Sequence, residues 1–314
     1  MATMKAVRFH EYGGPDVLRF EDAPRPDPAA DEVLIRVHAS GVNPVDWKIR
    51  AGRARRWRSY NLPLIPGWDV SGVVEAVGSE AKRLKPGDEV YSRPDLTRNG
   101  SYAEYIVVRE SEVALKPKSM DHVVAAAIPL AGLTAWQALF DGDRLQSGQT
   151  ILIHAAAGGV GSFAVQMAKL RGARVIGTAS PRNHEFLKSL GADEVVDYNR
   201  VKFEDAVHDV DMVLDTMGSH DDIQDRSWKV LRPGGILVGI LDMPSDEKAA
   251  EHGVRKAHVL VRADVPQLEE IAKLADAGKI KPVIQAVLPL AEARQAQEMS
   301  ATGHTRGKIV LRVV

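Results

Sequence analysis

The chain has 314 residues, with 41 lysine and arginine residues against 42 aspartate and glutamate residues, a formal net charge of −1. This balance argues against a nucleic-acid-binding protein, which usually has a clear basic excess. The chain has no cysteine, so disulfides and zinc sites built from thiolates are excluded. The length predicts roughly two domains of ordinary size.

The first residues, MATMKAVRFHEYGG, lack the apolar region of a signal peptide. Two uncharged stretches, 123–140 and 145–168, are long enough to be compared with membrane spans. The first contains proline and glycine and is better explained as a buried helix interrupted by a turn. The second fits a strand, a glycine turn and a helix. We therefore expect a soluble cytoplasmic protein without a membrane partner.

The first 120 residues are rich in short β-type runs separated by glycine and proline turns. This spacing predicts a compact β-barrel or sandwich. A short helix is expected to begin near Asn43 and Pro44, since proline suits the first turn of a helix. The predicted strands are KAVRF, EVLIRVHA, DVSGVVEAVG, DEVYS and YAEYIVV.

From residue 150, apolar strands alternate with amphipathic helices, which predicts a parallel sheet covered on both faces. Helices are expected at 160–168, at about 183–190 and near 266–277. The segment 281–314 becomes β-like again (VIQAVLPL, GKIVLRV), and we expect it to return to the first domain. The predicted domains are 1–121 with 281–314, and 122–280. The predicted strands of the sheet are TILIHA, ARVIGTA, EVVDY, DMVLDT, GILVGIL and HVLVRA.

A run of small residues, Ala155 to Gly161, lies between the strand TILIH and the following amphipathic helix. In a dinucleotide-binding turn, small residues let the backbone approach the pyrophosphate, and the helix N-terminus offers free N–H groups to it. Ala155 stands where this fingerprint more often has glycine. A tight turn serving packing alone is the alternative. The residues expected to bind the pyrophosphate are Ala157, Gly158, Gly159, Val160 and Gly161.

The end of the next strand distinguishes the two nicotinamide cofactors. An NAD site commonly places an acid about 20 residues beyond the glycines, where it binds the ribose 2′-hydroxyl. Here the segment 178–183 contains no acid, while Ser180 can donate a hydrogen bond to a 2′-phosphate and Arg182 can pair with it. The sequence therefore favours NADPH. The alternative is that Ser180 only caps the next helix and Arg182 is a solvated charge.

Taken together, nine segments resemble a zinc-independent medium-chain dehydrogenase/reductase of the quinone oxidoreductase group. The resemblance implies a GroES-like β-barrel catalytic domain formed by both chain ends, an inserted Rossmann domain, and a cleft between them for cofactor and substrate. Where zinc-dependent members have Gly-His-Glu, this chain has Gly67-Trp68-Asp69. The segments are GVNPVDWKIRAG, LPLIPGWDVSGVVEAVG, KPGDEVY, GSYAEY, AAAIPLAGLTAWQAL, HAAAGGVG, SLGADEVVDY, LRPGGILV and RGKIVL.

The resemblance also implies roles for individual residues. Asn43 and Asp46 match an N-x-x-D segment that lines the nicotinamide side of the cleft. Further positions match residues that contact the cofactor in the family, near the nicotinamide, at the 2′-phosphate or at the C-terminal segment that closes over it. They are Thr134, Ser180, Arg182, Tyr198, Ile240, Leu241, Val261 and Lys308.

The expected reaction is hydride transfer from NADPH to a quinone or an α,β-unsaturated carbonyl, which needs positioning and donors for the developing oxyanion. Solvent can deliver the proton. Asn43 is a candidate oxygen donor, or else a helix cap. Asp46 is expected to orient its neighbours. Tyr60 is a candidate donor, or else a packing residue of its loop.

Other features have simpler explanations. The arginine-rich segment 50–58 is expected to be a solvated lid, and His154 a core histidine with its hydrogen bonds satisfied. A methyltransferase is disfavoured by the β-rich first domain. The alternatives left open are an enone or enoyl-thioester reductase and a catalytically silent NADPH-binding protein. A homodimer is expected through the sheet edge at GILVGIL or HVLVRA.

Overall fold

The computed structural model describes residues 2–55, 58–142, 144–218 and 220–314. The strands are β1 (Thr3–Phe9), β2 (Leu18–Pro24), β3 (Glu32–Val42), β4 (Val70–Val77), β5 (Glu89–Ser92), β6 (Tyr105–Arg109), β7 (Val113–Leu115), β8 (Thr150–Ile153), β9 (Arg174–Ala179), β10 (Glu194–Asp197), β11 (Val210–Asp215), β12 (Leu231–Gly239), β13 (Arg255–His258), β14 (Ile284–Pro289) and β15 (Lys308–Arg312). The α-helices are α1 (Pro44–Arg50), α2 (His122–Ala125), α3 (Pro129–Phe140), α4 (Gly159–Leu170), α5 (His184–Ser189), α6 (Phe203–Ala206), α7 (Ile223–Ser227), α8 (Asp246–Glu251), α9 (Val265–Asp276) and α10 (Ala293–Ala301).

The chain divides into two compact units. The first comprises Met1–Leu130, Arg262–Gly278 and Pro282–Val314, and the second comprises Ala131–Val261 and Lys279–Lys281. Helix α9 therefore groups with the first unit, where the Tyr91 hydroxyl donates a 2.6 Å hydrogen bond to the Leu268 carbonyl. The sequence placed this helix in the second domain and ended the first domain nine residues earlier. The domain boundaries stay a prediction.

The first unit contains a sheet in the order β14–β15–β3–β4–β5–β7, with β6 also paired to β3. Its pairs are antiparallel except β14 with β15. Val33, Ile35 and Val37 alternate along β3 and are fully buried, which is how a strand with one core-facing side packs. The β-rich first part and the return of the chain end to it are thus as predicted.

The second unit contains parallel strands in the order β10–β9–β8–β11–β12–β13 among the described residues. This is the doubly wound order, in which ligands bind at the carboxyl ends of the strands where the winding direction reverses, here between β8 and β11. Ile151, Leu152 and Ile153 are completely buried, as expected for a strand covered on both faces. The Rossmann prediction is confirmed.

One predicted strand is wrong. HVLVRA was expected to be extended in the sheet, but pairing stops at His258. The neighbouring strand β12 ends at Gly239, so no partner continues beyond that point.

The uncharged stretch 123–140 forms most of α2 and α3, separated by a turn, as predicted. Among the helices in the described part of the chain, none has the length and apolar character needed to cross a bilayer.

Candidate functional site

Strand pairing in the first unit brings three polar side chains together. Strand β15 runs antiparallel to β3 in a register that sets Lys308 opposite Asn43. Asp69 precedes β4, which pairs with the same end of β3. A Cβ at Gly41 would come within 2.7 Å of Asp69 Oδ2, so the carboxylate occupies the space that a side chain would need. Residues far apart in sequence thus form one buried cluster.

Lys308 is the hub of this cluster. Its Nζ lies 3.1 Å from Asp69 Oδ2 and 3.1 Å from the Val42 carbonyl oxygen, and it also donates to Asn43 Oδ1. The Asn43 amide in turn donates to Asp69 Oδ2 over 2.8 Å. The amide orientation of Asn43 is therefore fixed by a cation on its oxygen and an anion on its nitrogen. The three donors of the ammonium are all engaged inside this unit, and the cofactor contact of Lys308 stays a prediction.

Asp69 is completely buried, and burial raises the pKa of its carboxyl above the usual value. Lys308, the Asn43 amide and the Leu130 backbone N–H oppose this effect and stabilise the charged form. The Leu130 N–H lies 2.6 Å from Oδ1. Each carboxylate oxygen thus has a partner, as a buried anion requires.

Asp46 is a second completely buried acid. Its Oδ2 accepts hydrogen bonds from the Asn43 backbone N–H and from the Tyr102 hydroxyl, both at 2.8 Å. Within the described residues, its Oδ1 has no partner. Burial raises the pKa of Asp46 to about 7, although Asn43, Tyr102 and Lys308 act in the opposite direction. Asp46 can therefore hold a proton near neutral pH.

The helix-cap interpretation of Asn43 is correct for the backbone. Asn43 is the residue before α1, in extended conformation, and the acid at the third helical position, Asp46, accepts from its N–H. The Asn43 side chain is turned to Asp69 and Lys308.

Tyr60 lies in the loop before β4 and is half-buried against a cluster that includes Phe9 and Trp68. Burial raises the pKa of its phenol, while the positive charges of Arg58 and Arg93 lower it. The phenol is thus a neutral O–H donor at ordinary pH. Its role in the reaction stays a prediction.

The arginine-rich segment is only partly as expected. Arg50 is 4% exposed, and its guanidinium donates to the Gln297 side chain and to the Gly13 carbonyl, so it is a packing residue. Arg53 and Arg55 are exposed, with Arg53 over the Trp47 ring. Arg58 is exposed as well, whereas Arg56 and Trp57 of the same segment lie outside the described residues.

In the second unit the turn between β8 and α4 has the form expected of an anion-binding turn. Gly158 is the residue before α4, so the N–H groups of Gly159, Val160 and Gly161 lack partners within the helix. A Cβ at Gly161 would lie 2.6 Å from the Ala155 carbonyl oxygen, which explains why this position is glycine. Ala155 has φ of 46°, the left-handed conformation that glycine adopts at lower cost.

The neighbouring strand ends complete this edge. Strands β9 and β10 pair in parallel with Ala179 opposite Asp197, so Ser180 and Tyr198 follow at the same level. Tyr198 is 52% exposed, and Arg182 is also exposed. Ser180 precedes a single helical turn, and its side chain makes no capping hydrogen bond there.

The remaining predicted cofactor residues also belong to the second unit. Ile240 and Leu241 follow β12, and Val261 lies beyond β13. Leu241 is 45% exposed, whereas Thr134, on α3, is buried. The structure thus places the acceptor-side candidates, including Asn43, on the first unit. The cofactor candidates, including Thr134, lie on the second unit, except Lys308, which lies on the first.

His154 is buried, as predicted for a core histidine. Its Nε2 lies 2.9 Å from Ser227 Oγ, and its ring packs edge-on against Phe203. Burial lowers the pKa of His154 to about 3, so the ring is neutral. In the described ranges, no group of three or more histidine, aspartate or glutamate side chains is arranged to hold a metal ion.

Sequence reasoning missed Asp69 and Tyr102 as members of the cluster. Both lie in segments that carry the family resemblance, and both are polar residues with no exposed surface. Their position in these segments was the signal available from the sequence. Their burial, which marks them as part of the cluster, cannot be read from the sequence.

Comparison with known proteins bears on this arrangement. Residues 29–118 match the alcohol dehydrogenase GroES-like domain, and residues 190–311 match a zinc-binding dehydrogenase model. A 2-methylene-furan-3-one reductase of Solanum lycopersicum is 38% identical over 98% of this chain and 79% of its own length. A chloroplastic NADPH-dependent alkenal/one oxidoreductase of Arabidopsis thaliana has the same identity and coverage. The quinone oxidoreductase of Coxiella burnetii superposes with a TM-score of 0.93 at 35% identity, with complete coverage of both chains.

The chain belongs to the quinone oxidoreductase-like family of medium-chain dehydrogenases/reductases. The predicted GroES-like and Rossmann architecture is confirmed by these matches and by the two sheets. In this member of the family, Trp68 is fully buried with its indole N–H 3.3 Å from the Arg98 carbonyl oxygen, so it serves the core.

Proposed function

We propose that this chain is an NADPH-dependent oxidoreductase that transfers hydride to a quinone or an α,β-unsaturated carbonyl without zinc. The observation that carries the proposal is the edge formed by β8, β9 and β10. The strand after the glycine turn ends in Ser180 rather than in an acid, and Tyr198 stands beside it. Such an edge suits a dinucleotide with a 2′-phosphate.

The residues present fit this cofactor. The N–H groups of Gly159, Val160 and Gly161 would bind the pyrophosphate, and glycine at position 161 lets the start of α4 pack closely against the backbone of Ala155 and Ala156. Ser180, Arg182 and Tyr198 would bind the 2′-phosphate. When bound, NADPH supplies the hydride. The residues assigned to the region of the nicotinamide are Thr134, Ile240, Leu241 and Val261.

On the acceptor side, Asn43 is the first candidate. One of its amide N–H groups is engaged by Asp69, and the other is held in a fixed direction by the Lys308 contact on Oδ1. A fixed donor is what stabilisation of a developing oxyanion requires. Asp46 positions Asn43 through the backbone, and Tyr60 is the second candidate donor. The proton comes from solvent.

The named relatives support the acceptor class, since one reduces a methylene-furanone and another an alkenal or alkenone, by their names. The alternatives are an enoyl-thioester reductase and a catalytically silent NADPH-binding protein. NADPH oxidation should be measured with menadione, crotonaldehyde and crotonyl-pantetheine. Turnover of the first two supports the proposal. Turnover of the thioester alone supports the first alternative, and binding of NADPH without turnover supports the second.

We also propose a cytoplasmic homodimer. Strand β13 is the outer strand of the parallel sheet, and Leu260, just beyond it, is 81% exposed. An open strand edge next to an apolar side chain favours pairing with a second copy. Sedimentation of the purified protein at micromolar concentration tests this, and a monomer would contradict it.

A further inference from the structure

Arg93 is a buried cation to which the described residues give no ion pair. It follows the last residue of β5 and is only 7% exposed. Its Nε is fully enclosed and has no hydrogen-bond partner in the described part of the chain. Buried guanidinium groups are normally paired, because an unpaired buried charge is costly. An acceptor from outside the chain would resolve this.

The acids in electrostatic range of this guanidinium are already bound by other cations. Asp69 Oδ2 lies 3.1 Å from Lys308 Nζ. Asp95 and Glu112 accept from Arg109 over 3.2 and 3.1 Å. These carboxylates reduce the electrostatic cost of the buried charge, but among the described residues none of them accepts a hydrogen bond from Arg93 Nε.

The surroundings of Arg93 belong to the acceptor side of the proposed enzyme. Strands β4 and β5 pair with Val70 opposite Ser92, so Arg93 and Asp69, the partner of the Asn43 amide, are neighbours at the ends of these strands, and the charge of Arg93 also acts on the phenol of Tyr60. Arg58 also acts on that phenol. Two cations of the first unit are therefore within electrostatic range of one neutral hydroxyl donor, and such a set is suited to a negatively charged, oxygen-rich group.

We propose that Arg93 binds a carboxylate of the hydride acceptor, so that the enzyme prefers unsaturated carbonyl compounds that carry an acidic group. This inference rests on the proposed function. A planar guanidinium matches the two oxygens of a carboxylate in a bidentate pair, which neither an ester nor a simple enone reproduces.

The simplest probe is β-acetylacrylate, an enone with a carboxylate at its far end. Hydride from NADPH adds to the carbon β to the ketone, and the electrons of the C=C double bond move to give an enolate. A proton from water then adds to the α-carbon, which restores the ketone. NADPH is oxidised to NADP⁺ and the product is levulinate. The methyl ester of the probe undergoes the same step without the negative charge.

The test compares kcat/KM for the acid and for its methyl ester in the wild type and in Arg93→Gln. We expect the substitution to lower the acid-to-ester ratio by about tenfold to hundredfold, mainly through the KM of the acid. Arg93→Lys should restore only part of this ratio, since an ammonium cannot form the bidentate pair. Arg53→Gln removes the same charge from an exposed arginine and should leave the ratio unchanged.

A purely structural role of Arg93 would lower the rates with acid and ester equally, and that result would overturn the inference. A ratio that falls as much in Arg53→Gln would also overturn it, because the effect would then be general electrostatics.

If the chain reduces neither compound, the proposed function fails. A binding measurement then still tests the role of Arg93. Levulinate and methyl levulinate cannot be reduced in this way and can be titrated calorimetrically into the protein with NADP⁺ present. We expect levulinate to bind the wild type at least about tenfold more tightly than Arg93→Gln, with no such difference for the ester. Equal levulinate binding by both proteins would refute the role of Arg93 whatever the catalytic result.

Discussion

Lys308→Met is the most informative single perturbation of the buried cluster. Methionine has nearly the same length as lysine but no charge, so the packing volume is kept while the cation is removed. Asp69 would then be a completely buried carboxylate that keeps, among the described residues, the Asn43 amide and the Leu130 N–H as its donors.

The expected cost follows from the geometry. The Lys308 and Asp69 side chains are 4% and 0% exposed and 3.1 Å apart. Removing one partner of such a pair typically costs about 3–5 kcal/mol, because the other charge stays buried without compensation. Replacing both partners costs much less. We therefore expect Lys308→Met with Asp69→Asn to be more stable than Lys308→Met alone.

The pH dependence of the stability of Lys308→Met gives an independent test. Burial already raises the pKa of Asp69, and Lys308 lowers it, so loss of the lysine must raise that pKa further. An acid whose pKa is raised by folding makes the protein more stable at low pH. This contribution to stability is lost as the pH rises through the pKa of the acid in the folded state. The stability gap between wild type and Lys308→Met should therefore widen from acid to neutral and alkaline pH.

The assay is urea unfolding of the four members of the double-mutant cycle across this pH range. Lys279→Met, at an exposed lysine, is the matched control and should change stability by less than about 0.5 kcal/mol. Equal effects of Lys308→Met in the wild-type and Asp69→Asn backgrounds would refute the reasoning, since the cost would then not come from the unpaired carboxylate.

Four further outcomes are expected. Arg182→Ala should raise the KM for NADPH about tenfold to hundredfold and leave that for NADH nearly unchanged, and Ser180→Asp should reverse the preference; equal effects on both cofactors would contradict the 2′-phosphate assignment. Burial raises the pKa of Asp46 from 3.8 to about 7, so the contribution of Asp46 to stability should fall by about 4 kcal/mol as the pH rises from about 4 to about 8, and the stability of the wild type relative to Asp46→Asn should decrease accordingly in the same unfolding assay. In thermal unfolding, Ala155→Gly should leave the Tm unchanged or higher, because φ is 46° there, whereas Gly161→Ala should lower it through a contact at 2.6 Å with backbone. Elemental analysis should find no stoichiometric zinc, and chelators should leave activity unchanged, because the chain has no cysteine and the described residues contain no group of histidine and acidic side chains arranged to hold a metal ion.

The parallel sheet and the glycine turn could be predicted because their signals are local. A short apolar strand, small residues and an amphipathic helix follow one another within about 20 residues, and each dictates its own structure. The prediction of a strand at HVLVRA was wrong because strand formation there depends on a neighbour distant in sequence and not on a local signal. Its β-type composition is genuine, but a strand also needs a neighbour, and β12 ends at Gly239.

The buried cluster was predictable only in part. Asn43, Asp46 and Lys308 were singled out one by one through resemblance. The contact of Asn43 with Asp46 is local, but its contact with Lys308, 265 residues away in sequence, depends on pairing between β3 and β15. Arg93 carried no sequence signal at all. An arginine after a strand is unremarkable until its burial and its lack of a partner are known.

The cluster also bears on how the proposed reaction can proceed without a metal. A zinc ion would polarise the acceptor oxygen as a Lewis acid. Here, Lys308 and Asp69 form an ion pair and each is hydrogen-bonded to Asn43. The pair therefore presents no net charge to an acceptor. What they provide is rigidity, since the amide cannot rotate without breaking contacts on both of its polar atoms. A fixed neutral donor is sufficient for a conjugated acceptor, where the charge that develops on transfer is delocalised, and it would be weak support for an alkoxide. The geometry of the cluster therefore favours reduction of quinones and enones over the interconversion of alcohols and ketones.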